Sequence, residues 1–176
     1  MVKSNPDTVL LEADDDSYQR SEAEADGTVT PGQLVEVTGT DTSAANDVEL
    51  VQRYSTSAEK AGVRVALELA KTGKTLEEDY ADGDYFEYRV FEPGDVFYGL
   101  VFDGSNAAGT GADLSANADI SQGDRLVVYA GAGENGNLRN LDTGNGDSEG
   151  AALVEALEDV DNSTGSDPAR IRVQVI

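Results

Sequence analysis

The chain has 176 residues, enough to bury a hydrophobic core, and is most simply read as one domain or one domain with a tail. Its 35 acidic residues against 12 basic ones give a formal net charge of −23 at pH 7, which excludes nucleic acid and anionic lipid membrane as direct partners because both would repel this surface. With no cysteine and no histidine, disulfide frameworks, thiolate metal sites and histidine-based nucleophilic triads are excluded as well.

The carboxylates are spread along the chain between well-formed apolar segments, so they read as a solvated surface and not as a disordered acidic tail. Lysine is confined to Lys3, Lys60, Lys71 and Lys74. That combination is similar to proteins of extreme halophiles, in which concentrated salt screens self-repulsion. No apolar run is long enough to span a membrane. The opening "MVKSNPDTVLLEADDD" lacks the pattern of a secretory signal, and the expectation is a soluble chain that is not exported by that route.

Taken in chain order, residues 1–28 read as an irregular N-terminal arm, polar and acidic apart from Val9, Leu10 and Leu11, followed by a β domain over 29–176. "TPGQLVEV" then introduces a phrase that returns as "ADGDYFEYRV", "EPGDVFYGLVF" and "SQGDRLVVYA": a turn with glycine, an Asp or Gln, then an apolar run. Pro31 and Pro93 suit the first central position of a turn, and Gly32 and Gly94 the left-handed position after it. The runs themselves have period two. Val35 and Val37 alternate with polar neighbours, and Phe86, Tyr88 and Val90 fall opposite Glu87 and Arg89, as in a half-buried strand.

"GVRVALEL" puts Val63, Val65, Leu67 and Leu69 on one face, and "RIRVQVI" does the same with Ile171, Val173 and Val175. "TGKTLEEDYADG" suits one short helical turn, and "GAALVEALEDV" fits a helical face as well as a strand, the strand being preferred. In "DVFYGLVF" both faces are apolar, so both must be covered. Eight of the eleven aromatic residues fall between Tyr80 and Phe102. This region reads as central core strands, and equally as a subunit interface through Phe97, Tyr98, Val101 and Phe102. The fold class expected is all-β: an antiparallel β-barrel or sandwich of short strands with one short helical turn and the irregular arm.

The remaining segments are small, polar and Gly-rich loops. Asp142 to Glu149 and Glu134 to Asn137 carry oxygen ligands but do not match a spaced calcium loop, and "GAGENG" is not a phosphate loop because no helix comes after it. With thirty-five acidic residues, a carboxylate pair at any spacing arises by chance and does not point to a glycosidase. No catalytic residue, no metal ligand and no cofactor is assigned.

The succession "DGTVTPGQLVEV", "GVRVALEL", "GKTLEEDYADGDYFEYRV", "EPGDVFYGLV", "ISQGDRLVVYAGAGENGNLRNL", "EGAALVEALEDV" and "ARIRVQVI" resembles the small capsid decoration, or head cement, proteins of tailed double-stranded DNA viruses over residues 26–176. The insert Gly104 to Asp119 and the acidic arm depart from that compact pattern. The resemblance implies a non-enzymatic structural protein on the exterior of an HK97-like capsid shell. Its partner would be the major capsid protein, its state a homotrimer seated where capsid subunits meet, and its location the virion after assembly in the host cytoplasm. The acidic composition adds a haloarchaeal host. Val9, Leu10 and Leu11 are then the expected capsid contact. Two other classes stand beside this one: a carbohydrate- or protein-binding surface module of a halophile, and a carbohydrate-active enzyme.

Overall fold

A computed structural model describes residues 8–12, 20–43, 47–55, 63–69, 74–104, 115–129, 135–145, 147 and 149–176. The fold is all-β. The first half carries β1 (Leu10–Glu12), β2 (Arg20–Ala25), β3 (Val35–Asp41), β4 (Val48–Arg53), β5 (Val63–Ala66) and β6 (Tyr85–Phe91). The second half carries β7 (Val96–Val101), β8 (Asp119–Ile120), β9 (Arg125–Val128), β10 (Leu138–Asn140), β11 (Val154–Ala156), β12 (Val160–Asp161) and β13 (Ala169–Val175).

Two rings organise these strands. In the second half β7, β10, β9, β11 and β13 are paired in that order, and β13 pairs back onto β7 from Ala169↔Val101 to Gln174↔Val96, so the sheet closes on itself. Inside it lie Phe97, Val101, Leu126, Leu138, Val154, Ile171 and Val173, all shielded from solvent. Ile171, Val173 and Val175 face inward as their alternation predicts. In the first half the order is β3-β4-β2-β6-β5, and the ends approach through the Leu34↔Val65 bridge, with Gly32 N–H donating to Ala66 O at 2.8 Å and Ala66 N–H to Gln33 O at 3.0 Å. This second curl encloses a separate cluster that includes Ala23, Ala25, Val51, Tyr80 and Phe86.

The first ring's core continues outward onto the back of β5 and β6, where Val63, Val65 and Phe91 join the same cluster as Phe97 and Val101. That contact corrects one expectation. β6 alternates as predicted, but its polar face is buried too: Glu87 is 8 % exposed and Arg89 0 %. The Arg89 guanidinium lies 3.6 Å from the Asp95 carboxylate and 5.2 Å from the Phe91 ring centroid, so the charge is paired and stacked where the two units meet.

The repeated phrase is one device used four times. In Thr30–Gln33, Ala81–Asp84, Glu92–Asp95 and Ser121–Asp124 the fourth residue donates its N–H to the carbonyl of the first, at 2.9 to 3.0 Å. Its side-chain oxygen accepts the N–H of that same first residue, at 2.8 to 3.0 Å. The third residue is glycine with φ between 83° and 100°, the left-handed position of a type II turn. Each of these glycines also donates its N–H to a carbonyl on a neighbouring segment: Gly32 to Ala66, Gly83 to Ala25, Gly94 to Val175 and Gly123 to Ala156. The turn is thus closed by a reciprocal pair of bonds and tied to the sheet by a third.

Three other segments differ from expectation or resolve it. Arg20–Ala25, read from the sequence as arm, form β2 between β4 and β6, with Ala23 and Ala25 buried. The segment around Thr75 makes a hydrogen-bonded turn in place of a helical one, Glu78 N–H donating to Thr75 O and Thr75 N–H to the Glu78 carboxylate. Val154–Ala156 is a strand, preceded by a single 3-10 turn at Glu149–Ala151. Of the insert Gly104 to Asp119, residues 105–114 lie outside the described residues, and Ser115–Ala118 form another 3-10 turn.

Candidate functional site

The two groups of residues singled out in the sequence meet in one place. β1 runs antiparallel to β7 with Leu10 opposite Phe97 and Glu12 opposite Val96. Val9 is fully buried, its carbonyl accepting the Tyr98 N–H at 2.8 Å and its N–H donating to the Glu68 carboxylate at 3.1 Å. The Thr8 hydroxyl donates to the other oxygen of Glu68. Leu10 packs against the main core, and only Leu11, at 38 % exposure, turns to solvent. The apolar patch of the arm is therefore largely a strap over β7, anchored by Glu68, a residue that sequence reasoning passed over. Its only signal was position, just beyond the clean alternation of β5.

Phe97, Val101 and Phe102 have no exposed surface, because the chain's own sheets cover both faces of β7, and Tyr98 is half-buried. The physical cause is the edge of β7, which three separate segments share. Tyr98 N–H donates to Val9 O, Leu100 N–H to Gly32 O at 3.2 Å, and Phe102 N–H to Leu138 O at 3.1 Å. Gly99 sits within the ring against Leu138: a Cβ built there would lie 2.6 Å from the Leu138 Cδ1.

Between the two rings lies a polar groove of about 880 Å³ whose walls include Thr30, Asp79, Asp103, Asn137 and Arg170. Arg170, on β13, reaches across it: one nitrogen donates to Pro31 O at 2.9 Å, another to Leu76 O, and the guanidinium stands 3.7 Å from the Glu77 carboxylate. Burial pushes its pKa down from the ordinary arginine value, and the neighbouring Glu77 carboxylate opposes that shift. Arg170 joins the two rings and leaves the groove floor polar. Tyr80 performs a similar task inside the first ring, donating to Leu67 O at 2.9 Å and accepting from Leu69 N–H at 2.8 Å. Burial pushes its hydroxyl up to about 12.

Of the two oxygen-rich loops, Asp142–Glu149 is occupied by its own contacts. Asp147 accepts a two-pronged pair from Arg139 at 2.5 and 2.7 Å together with the Asp142 N–H at 2.8 Å, and Asp142 accepts the Gly144 N–H at 2.9 Å. Arg139 holds the Asp147 carboxyl below the usual carboxylate range. Gly146 and Ser148 lie outside the described residues, as does Glu134 of the second loop. Among the described residues no group of three or more acidic side chains is placed to hold a metal ion. No helix of the described residues is long and apolar enough to cross a membrane.

No protein-family model matches this chain, and no curated protein matches it. Among solved structures it is similar to the N base of the head fiber gp8.5 of bacteriophage phi29, at 13 % sequence identity and a TM-score of 0.49 over 89 % of this chain and 92 % of that one.

Proposed function

We propose that this chain is a non-enzymatic structural protein of a virion, which binds the outside of an HK97-like capsid shell and stabilises it, as a homotrimer, in a virus of a halophilic host. The observation that carries this reading is the succession of glycine–Asp/Gln turns, each opening a strand, over which the sequence resembles head cement proteins. Those four turns are closed twice over by hydrogen bonds, which favours a rigid body suited to reinforcing a shell. The main partner is the major capsid protein. Leu11 is the candidate contact within the β1 strap, because Val9 is spent on the chain's own core.

The test is reconstitution on purified capsids of the source virus from which this protein has been stripped or deleted. Added protein should co-sediment with the shells and raise their disruption temperature, and shells that neither bind it nor gain stability would overturn the reading. Leu11→Asp should lower occupancy while leaving the free protein folded, whereas removing residues 1–28 would also remove β2 and test only folding. Light scattering of the free protein in concentrated potassium chloride should give three times the chain mass, and a monomer both in solution and on the shell would remove the trimer.

A further inference from the structure

Among the described aromatic residues Tyr85 alone is exposed, at 53 %, whereas Tyr80, Phe86 and Tyr88 around it are buried. It opens β6 immediately after the Ala81–Asp84 turn, and its ring forms one wall of a depression of about 400 Å³ shared with Ser21, Glu22, Asp47, Val48 and Glu49. That volume lies within the range of small-molecule sites, about 300–1,000 Å³. Glu49 is held in place from behind, since the buried Tyr88 hydroxyl donates to its carboxylate.

The chemistry of these walls selects by elimination. Three carboxylates and no Lys or Arg repel phosphate, sulfate and any acidic ligand. The described residues place no group of three or more acidic side chains to hold a metal ion, so the carboxylates here do not converge on a cation. Val48 and Tyr85 offer too little apolar surface for a hydrophobic ligand. What remains is a neutral molecule with many O–H donors on its rim and one apolar face. A hexopyranose ring fits: its C–H face stacks on an aromatic ring while its hydroxyls donate charge-assisted bonds to the carboxylates.

We infer that the Tyr85 depression is a binding site for neutral glycans, with Tyr85 as the stacking platform and Glu22, Asp47 and Glu49 as hydroxyl acceptors. The site stands on the outer side of the β2–β6 pair and does not depend on the capsid reading, because its ligand is tested on the free protein.

The experiment is an array of neutral and acidic oligosaccharides probed with the full chain in concentrated potassium chloride, with positive sugars then titrated in solution. The chain has no tryptophan, so tyrosine fluorescence can follow the ring directly. The expected result is binding of at least one neutral oligosaccharide. Tyr85→Ala and Glu49→Gln should each weaken it by about tenfold, with Tyr85→Phe close to the parent. Binding of none of the neutral sugars, binding of acidic sugars only, or a Tyr85→Ala protein that binds as tightly as the parent would each overturn the site. Unchanged circular dichroism of the exposed-residue variants separates a lost site from a lost fold.

Discussion

The side chain after the glycine explains why the turn phrase recurs. From the sequence, Asp84, Asp95 and Asp124 look like polar residues that merely open a strand, yet each closes its own turn by accepting the N–H three residues back. Gln33 does the same with a longer side chain. Asp124 also accepts from the Asn140 side chain at 2.9 Å. Asp124→Ala should therefore cost about 1–3 kcal/mol, read from urea unfolding in concentrated salt, by leaving the Ser121 N–H and the Asn140 amide without their acceptor. Asp124→Asn keeps an oxygen and should cost less. Asp147 supplies a pH-dependent counterpart. Its folded-state pKa lies below the ordinary carboxylate value, so its bond to Arg139 contributes fully above about pH 4 and is lost as pH falls through the lowered value. Asp147→Asn should destabilise the protein near neutral pH, and the gap between variant and parent should close in strong acid.

At the scale of elements, period two located β5, β6, β7 and β13 and the faces of each, because branched and aromatic residues alternate there with charges. β2 escaped notice because its buried face is built from Ala23 and Ala25 alone, and alanine among glutamates carries little hydrophobic contrast. The second buried face of β6 escaped for the opposite reason: Glu87 and Arg89 look solvated until another sheet is laid over them. Of the candidate surface, the sequence indicated Leu11 but could not show that Val9 belongs to the core, since that depends on Glu68 gripping Thr8 and Val9 from far along the chain. The strap has a direct readout. Glu68→Ala should speed hydrogen exchange of the Tyr98 amide, which β1 protects, while the Phe102 amide, bonded to β10, keeps its rate. Gly136→Ala tests a closer contact, since its φ of +84° and a Cβ 2.5 Å from Leu34 O both oppose a side chain. Thermal unfolding should show a loss of about 2 kcal/mol or more.

For the whole molecule, charge sets the conditions under which these contacts suffice. A net charge of −23 on a chain of this size favours expansion, and salt relieves it by shortening the range over which carboxylates repel. The melting temperature should fall as potassium chloride is diluted, by about 2–4 °C for each kcal/mol of stability lost, and should recover on adding salt back. A melting temperature independent of salt would show that the carboxylates are already balanced locally.

The shared edge of β7 also sets an order of events during synthesis. The strand lies in the middle of the chain, yet one side takes Val9, Gly32 and Leu138 and the other takes β13, which ends at Val175. A nascent chain therefore carries Val96–Val101 unpaired on its β13 side until its last residues emerge, with an apolar strand open to pairing with other chains. Folding of this protein is post-translational in its decisive step, and its speed is governed by the closing of long loops. Chains shortened at the C-terminus should accumulate as aggregates, and the yield of native protein should depend on how many copies are released close together.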